Sequence, residues 1–269
     1  MKYESVIAST DIDSHGERMD REGIERIVAT IARAYVPFGI EHDPRIPPRG
    51  RISSGYIRER PDGEYEAVAT IELFDEDSLP GDDERELVTK SHTPDGLTVS
   101  YDRSYRFDVD LADIAEIAKV FRNEAEQDLK KSTDPISLIT IAGKFAAVAI
   151  AAGFFGQIGA DGWNLVKKKL ADLYRRKENR HGEQLLMFRA LIVDGKDVEI
   201  EIILTNPTTD NIDRLLGRDL QAIERFTSAY LLRFPDIRRL VFEVKSDHVE
   251  IKFAILKDCR PVRPSLEDD

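Results

Sequence analysis

The apolar positions of this chain change period several times, and the changes divide it. Residues 3–8 alternate as a strand does. Residues 20–35 carry Ile24, Ile27, Val28 and Ile31 at helical spacing, one stripe facing a core. Residues 51–58 and 64–74 are apolar and β-branched on either side of Pro61-Asp62-Gly63, which predicts two paired strands joined by a turn. Residues 75–86 are acidic and predict an exposed loop, and 97–108 form a further strand segment. Helical spacing returns over 110–126 through Ile114, Ile117, Ala118 and Phe121.

The middle of the chain lacks this alternation. Residues 136–160 form a run rich in Ala, Gly, Ile and Phe, preceded by Lys130 and Lys131 and followed by Lys167-Lys168-Lys169 and Arg175-Arg176-Lys177. The length matches a membrane span, which takes about 20 apolar residues. Lys144 lies inside the run, and Thr140, Gln157 and several glycines dilute it. Small residues at Ala142, Ala146, Ala149 and Gly153 suit close helix–helix approach. The expectation is therefore a buried or oligomerising apolar helix, with membrane contact through 136–160 as the second option.

From residue 183 the pattern predicts ββαββ. Residues 185–193 and 198–204 alternate around Asp194-Gly195, a hairpin signal. Residues 208–232 form a helix with a stripe of Ile212, Leu215, Leu216, Leu220, Ile223 and Phe226. Residues 239–244 and 249–256 form a second hairpin around Ser246-Asp247, and the tail after Pro261 is expected to fray. The predicted class is α+β, in three zones: 1–125, β-rich; 126–182, an apolar helical connector; and 183–269, the ββαββ domain.

Composition narrows the function classes. The formal net charge of −12 over 269 residues argues against broad nucleic-acid binding. Cys259 is the single cysteine, so neither an intrachain disulfide nor a Cys-based zinc cluster can form. The start, MKYESVIAST, lacks a basic segment followed by an apolar one, so no secretory signal is expected and the default compartment is the cytoplasm. There is no Walker loop, no Rossmann glycine fingerprint and no His-Glu-x-x-His, so nucleotide-driven and zinc-protease chemistry are not expected. No cofactor or metal is expected.

The first zone holds the candidate chemistry. Asp11-Ile12-Asp13-Ser14-His15-Gly16-Glu17-Arg18-Met19-Asp20 leads into the first helix. Ile40-Glu41-His42-Asp43 and Pro47-Pro48-Arg49-Gly50-Arg51-Ile52 follow it, and Gly96-Leu97-Thr98-Val99-Ser100-Tyr101 comes later. This order resembles the HK97-like prohead proteases that tailed phages use in capsid maturation, over residues 1–110. The resemblance implies a β-rich protease-like barrel, with His42 as catalytic base and a nucleophile on the strand at 97–101. The family's serine position falls on Thr98, and its glycine is replaced by Ser100. A hydroxyl needs a neighbouring base to become a useful nucleophile, and imidazole titrates in the right range. The methyl of Thr98 crowds its approach. Ser100 shares the strand face with Thr98 and becomes the nucleophile if the register shifts by two. Asp108 and Asp110 are candidate orienting acids.

The implied activity is that of an endopeptidase acting on a protein substrate. The alternatives are a catalytically inert protease-like protein for binding and assembly, with phage defence as a role, and a membrane-associated effector. A protein partner and a homo-oligomer are expected. His15 with Asp11, Asp13 and Asp20 resembles a cation site, but an Asp-rich turn capping the helix explains the same residues. His92 is expected at the surface, and Lys167–Lys169 on a solvated helix face.

Overall fold

The structure is a computed structural model describing residues 1–12, 18–39, 43–75, 85–88, 96–127, 136–145, 150–178, 182–194 and 196–263. Two compact units emerge, Met1–Val88 with Ile255–Val262, and Thr89–Ala254 with Arg263–Asp269. Both mix strands with helices, in keeping with an α+β class.

The first unit is built on four antiparallel strands, β1 (Lys2–Ser9), β2 (Val36–Phe38), β3 (Gly50–Glu59) and β4 (Tyr65–Leu73), in the order β1-β4-β3-β2. Helix α1 (Arg21–Arg33) starts where Asp20 accepts a 2.7 Å hydrogen bond from the Gly23 amide. That bond satisfies one of the free donors of the first turn. The Ile31 face of α1 packs on Ile52, Ala69 and Ile71 of the sheet. Gly63, at φ 85°, closes the β3–β4 turn in the left-handed region, as the Pro61-Asp62-Gly63 signal requires. The other sheet face is laced with ion pairs, among them Arg51–Glu72 at 2.8 Å and Arg58–Glu66 at 2.6 Å. Residues 255–262 join this unit through the Leu87 amide, which donates to the Lys257 carbonyl.

The second unit contains β5 (Leu97–Tyr101), α2 (Asp108–Val120), β6 (Glu126–Gln127), β7 (Ser137–Phe145), α3 (Ile150–Glu178), β8 (Gln184–Asp194) and β9 (Lys196–Thr205). There follow α4 (Thr209–Arg214), a π-helical turn (Leu215–Asp219), α5 (Leu220–Arg233), β10 (Ile237–Val244) and β11 (Val249–Leu256). Its strands run in the order β11-β10-β9-β8-β7-β5-β6. Helices connect three parallel neighbours, β5 to β6, β7 to β8 and β9 to β10. The β5–β7 and β8–β9 neighbours are antiparallel. Phe188 of β8 meets Phe154 and Trp163 of α3 edge-on or tilted, with centroids 5.6 and 6.2 Å apart. Phe121, just after α2, lies 6.3 Å from the Trp163 ring, so α2 and α3 share one face of the sheet.

The expected ββαββ tail is present as β8-β9-α4/α5-β10-β11, with Asp194 opposite Lys196 at the hairpin. The expected apolar helix over 136–160 is not. Ser137–Phe145 is a strand, and α3 begins only at Ile150. The β-branched Ile139, Thr140 and Ile141 are buried on both faces, so the segment has no alternation and imitates a helical or membrane run. The supposed small-residue stripe dissolves accordingly. Ala142 belongs to β7, residues 146–149 lie outside the described residues, and a kink at Gly159, φ 67°, divides α3. Among the described residues, no helix is long and apolar enough to cross a membrane. The strand expected over 97–108 ends at Tyr101, and it joins the sheet of the second unit rather than that of β1–β4.

Candidate functional site

Thr98 and Ser100 lie on the central strand of the β6-β5-β7 group. Across the β5–β7 ladder Thr98 faces Ala142 and Ser100 faces Thr140, while Ser100 also pairs with Glu126 of β6. Alternation puts both hydroxyl residues on the sheet face opposite α2 and α3, because Leu97 and Val99 fill the helix side and are fully buried. Both hydroxyl residues are half-buried. Thr98 Oγ1 makes a long 3.5 Å contact to the Ala142 carbonyl, at the limit of a hydrogen bond.

The same face carries small or polar side chains next to these hydroxyls. Thr140 is buried, Ala142 is half-buried, and Lys144 is exposed, two residues along β7 and diagonal to Thr98. Sequence reading treated Lys144 only as an interruption of an apolar run. Its place beside Thr98 becomes visible once 137–145 is a strand, since residues 138, 140, 142 and 144 then share one face.

Further along that face the sheet is ionic. Arg189 holds Glu201 at 2.9 Å, and Arg239 holds the fully buried Glu199 at 2.5 Å. Glu243 accepts from Lys245 at 2.7 Å and Lys252 at 3.0 Å. Burial alone would raise the Glu243 carboxyl, but these two lysine hydrogen bonds outweigh it and leave it below its ordinary value. Every acid in this row is neutralised by a neighbour, which fits a structural network. Among the described residues, no group of three or more His, Cys, Asp or Glu side chains could hold a metal ion.

The remaining expected site residues are distributed as follows. His42, His15, Asp13 and His92 lie outside the described residues. His248, the one histidine among the described residues, sits at the β10–β11 turn with Nδ1 2.7 Å from Asp247 Oδ1. Asp110 is fully buried on α2 and held by Arg176 of α3, so it sits in the helix layer, across the sheet from Thr98 and Ser100. Asp108 opens α2 in the same layer and is exposed. Neither acid faces the two hydroxyls. Asp20 caps α1, and Asp11 is paired with Arg60 at 2.7 Å, so both have structural work of their own. Lys167 and Lys169 pair with Asp213 and Asp113 at 2.6 and 2.8 Å. Asp102 was missed from sequence: its carboxylate accepts from the Ser104 and Leu138 amides, tying the end of β5 to β7.

Comparison with family models, with curated proteins and with solved structures found no match to this chain.

Proposed function

We propose that the chain is a protease-like protein of the prohead-protease kind, with a hydroxyl of β5, Ser100 or Thr98, as nucleophile and His42 as base. The observation that supports this reading is the shared placement of the two hydroxyls. They stand on one face of β5, away from the helix layer, beside the short side chains of Thr140 and Ala142. A substrate carbonyl would approach over that strip, and the base would remove the hydroxyl proton as the oxygen attacks. Ser100 lacks the extra methyl of Thr98 and is the better nucleophile.

The test is incubation of purified wild type beside His42→Ala, Thr98→Val and Ser100→Ala, with fluorophosphonate labelling and intact-mass detection of cleaved products. Labelling or cleavage that disappears in His42→Ala and in one hydroxyl variant supports the proposal. Unlabelled, intact chains in all four samples support the second reading, an inert protease-like protein used for binding and assembly. The contact of the Thr98 hydroxyl with the Ala142 carbonyl favours that second reading, because it engages the proton a nucleophile must give up.

A further inference from the structure

Away from β5, residues 85–88 form a short extended strap within the first unit. The Tyr35 amide donates to the Glu86 carbonyl at 2.9 Å, and the Val88 amide donates to the Tyr35 carbonyl at 2.8 Å, a parallel bridge between Tyr35 and Leu87. On the other edge of the strap, the Leu87 amide donates to the Lys257 carbonyl. The strap is thus hydrogen-bonded on one side to the exit of α1 and on the other to the C-terminal turn. Its anchorage is slender. Leu87, at 4% exposure, is its one buried side chain, while Arg85 and Val88 are half-buried and Glu86 is exposed. Arg85 lies over the Tyr35 ring, 4.5 Å from its centroid, and donates to the Ser53 carbonyl. Segments with few buried apolar groups open at a lower free energy than the core they rest on.

The turn held by this strap is strained. The Cys259 amide donates to the Leu256 carbonyl at 3.0 Å and closes a tight turn after β11. Cys259 sits there at φ 70°, a left-handed conformation that costs any residue with a Cβ. Such a conformation persists where its surroundings over-determine it. Donors from outside the turn do so here, on successive carbonyls: the Leu87 amide on Lys257, and Arg51 Nη1 on Asp258 at 3.2 Å. Arg51 is fixed to the sheet by Glu72 at 2.8 Å. Leu87 belongs to the strap, and its hydrogen bond is lost whenever the strap lifts.

We propose that residues 85–88 are a latch. Strap and turn (256–260) open together as one local unit, which relaxes the left-handed backbone at Cys259 and uncovers its thiol while α1, β3 and β4 stay folded. The thiol is the reporter of the opening, and no chemistry is assigned to it.

The experiment follows native-state hydrogen exchange of the full chain by mass spectrometry, with labelling of the thiol by a disulfide reagent in parallel. In wild type, peptides covering 85–88 and 256–260 should exchange at one common rate, at least about tenfold faster than those of β3 and β4. Thiol labelling should be slow and should keep pace with that exchange. Leu87→Ala, which weakens the anchor, should speed exchange of both segments and labelling by the same factor, with β3 and β4 unchanged. Arg85→Lys should do the same to a smaller extent, because it keeps the charge and loses the planar group over Tyr35. Unequal rates for strap and turn in wild type, a thiol that labels only as β3 and β4 exchange, or unchanged labelling in a folded Leu87→Ala would each overturn the latch. Should Leu87→Ala fail to fold, the wild-type rates and Arg85→Lys decide.

Discussion

Asp110, with no exposed surface, lies 3.0 Å from the guanidinium of Arg176, and that one cation also reaches Asp113 at 2.5 Å. Two helices distant in sequence are thereby clamped at their polar ends, while Phe121 and Trp163 hold their apolar ends. Arg176→Met would take one counter-charge away from a buried carboxylate, at a cost of about 3 kcal/mol. Asp110→Asn combined with Arg176→Met should recover part of that loss, because the buried charge goes too. Urea unfolding of the three variants measures it, and full additivity of the two changes would contradict the clamp.

Glu72 gives the first unit an acid dependence. Burial alone would raise its carboxyl, but hydrogen bonds from Lys2, Arg51 and Ser53 hold it down to about 2, from 4.5. A depressed acid stabilises the fold above its unfolded pKa and loses that contribution as pH falls towards its folded pKa. Wild type should therefore exceed Glu72→Gln by on the order of 1–3 kcal/mol at pH 7. The gap should close between pH 4.5 and pH 2, the two ends of the shift. Denaturant midpoints of both proteins across that range are the measurement.

Two glycines should respond in opposite directions to alanine. A Cβ on Gly50 would come within 2.4 Å of the Glu72 carbonyl oxygen and 3.1 Å of Leu73 Cα, both backbone atoms that cannot swing aside. Gly50→Ala should cost more than about 1 kcal/mol. Gly156, inside α3, would direct a Cβ into open space. Gly156→Ala should gain about 0.5–1 kcal/mol through helix propensity and a less flexible unfolded chain. Thermal melts that place both variants on the same side of wild type would contradict the pairing.

Trp163 is the single tryptophan of the chain and is 1% exposed among Phe121, Phe154 and Phe188, with Nε1 donating to the Phe154 carbonyl at 3.0 Å. Its fluorescence should be blue-shifted in the native protein and move red in a single step with urea. Trp163→Phe should be tolerated far better than Trp163→Ala, which should cost about 3–5 kcal/mol. A native emission maximum at the position of free tryptophan would place the ring in water and contradict this packing.

Cys259 is buried and holds φ at 70°, at the turn that leads from β11 into β12 (Pro261–Val262). Its thiol should resist a disulfide reagent in the native state and react fully once the chain is unfolded. Rapid native labelling would show that the turn opens. Cys259→Gly should keep the turn, because glycine adopts a positive φ without strain.

The elements with clean local signals were legible without coordinates. Asp20 before an i, i+3, i+4 stripe marked α1, Gly63 marked the β3–β4 turn, and Asp194-Gly195 marked the β8–β9 pairing. Residues 136–145 were not legible, and the reason is physical. A strand covered on both faces has no alternation, and an apolar run of that kind has no period that separates it from a buried helix. The candidate site was half legible. The shared face of Thr98 and Ser100 follows from strand parity alone. The neighbours of those hydroxyls on β7 depended on recognising Ser137–Phe145 as a strand.

Local chemistry therefore determined where this chain turns, which stretches alternate, and which residues carry hydroxyl, imidazole and carboxylate groups. Pairing between distant strands decided the rest. The β5–β7 ladder assigned Thr98 and Ser100 to the sheet of the second unit, and the α2–α3 packing drew Asp110 into an ion pair across the sheet from them.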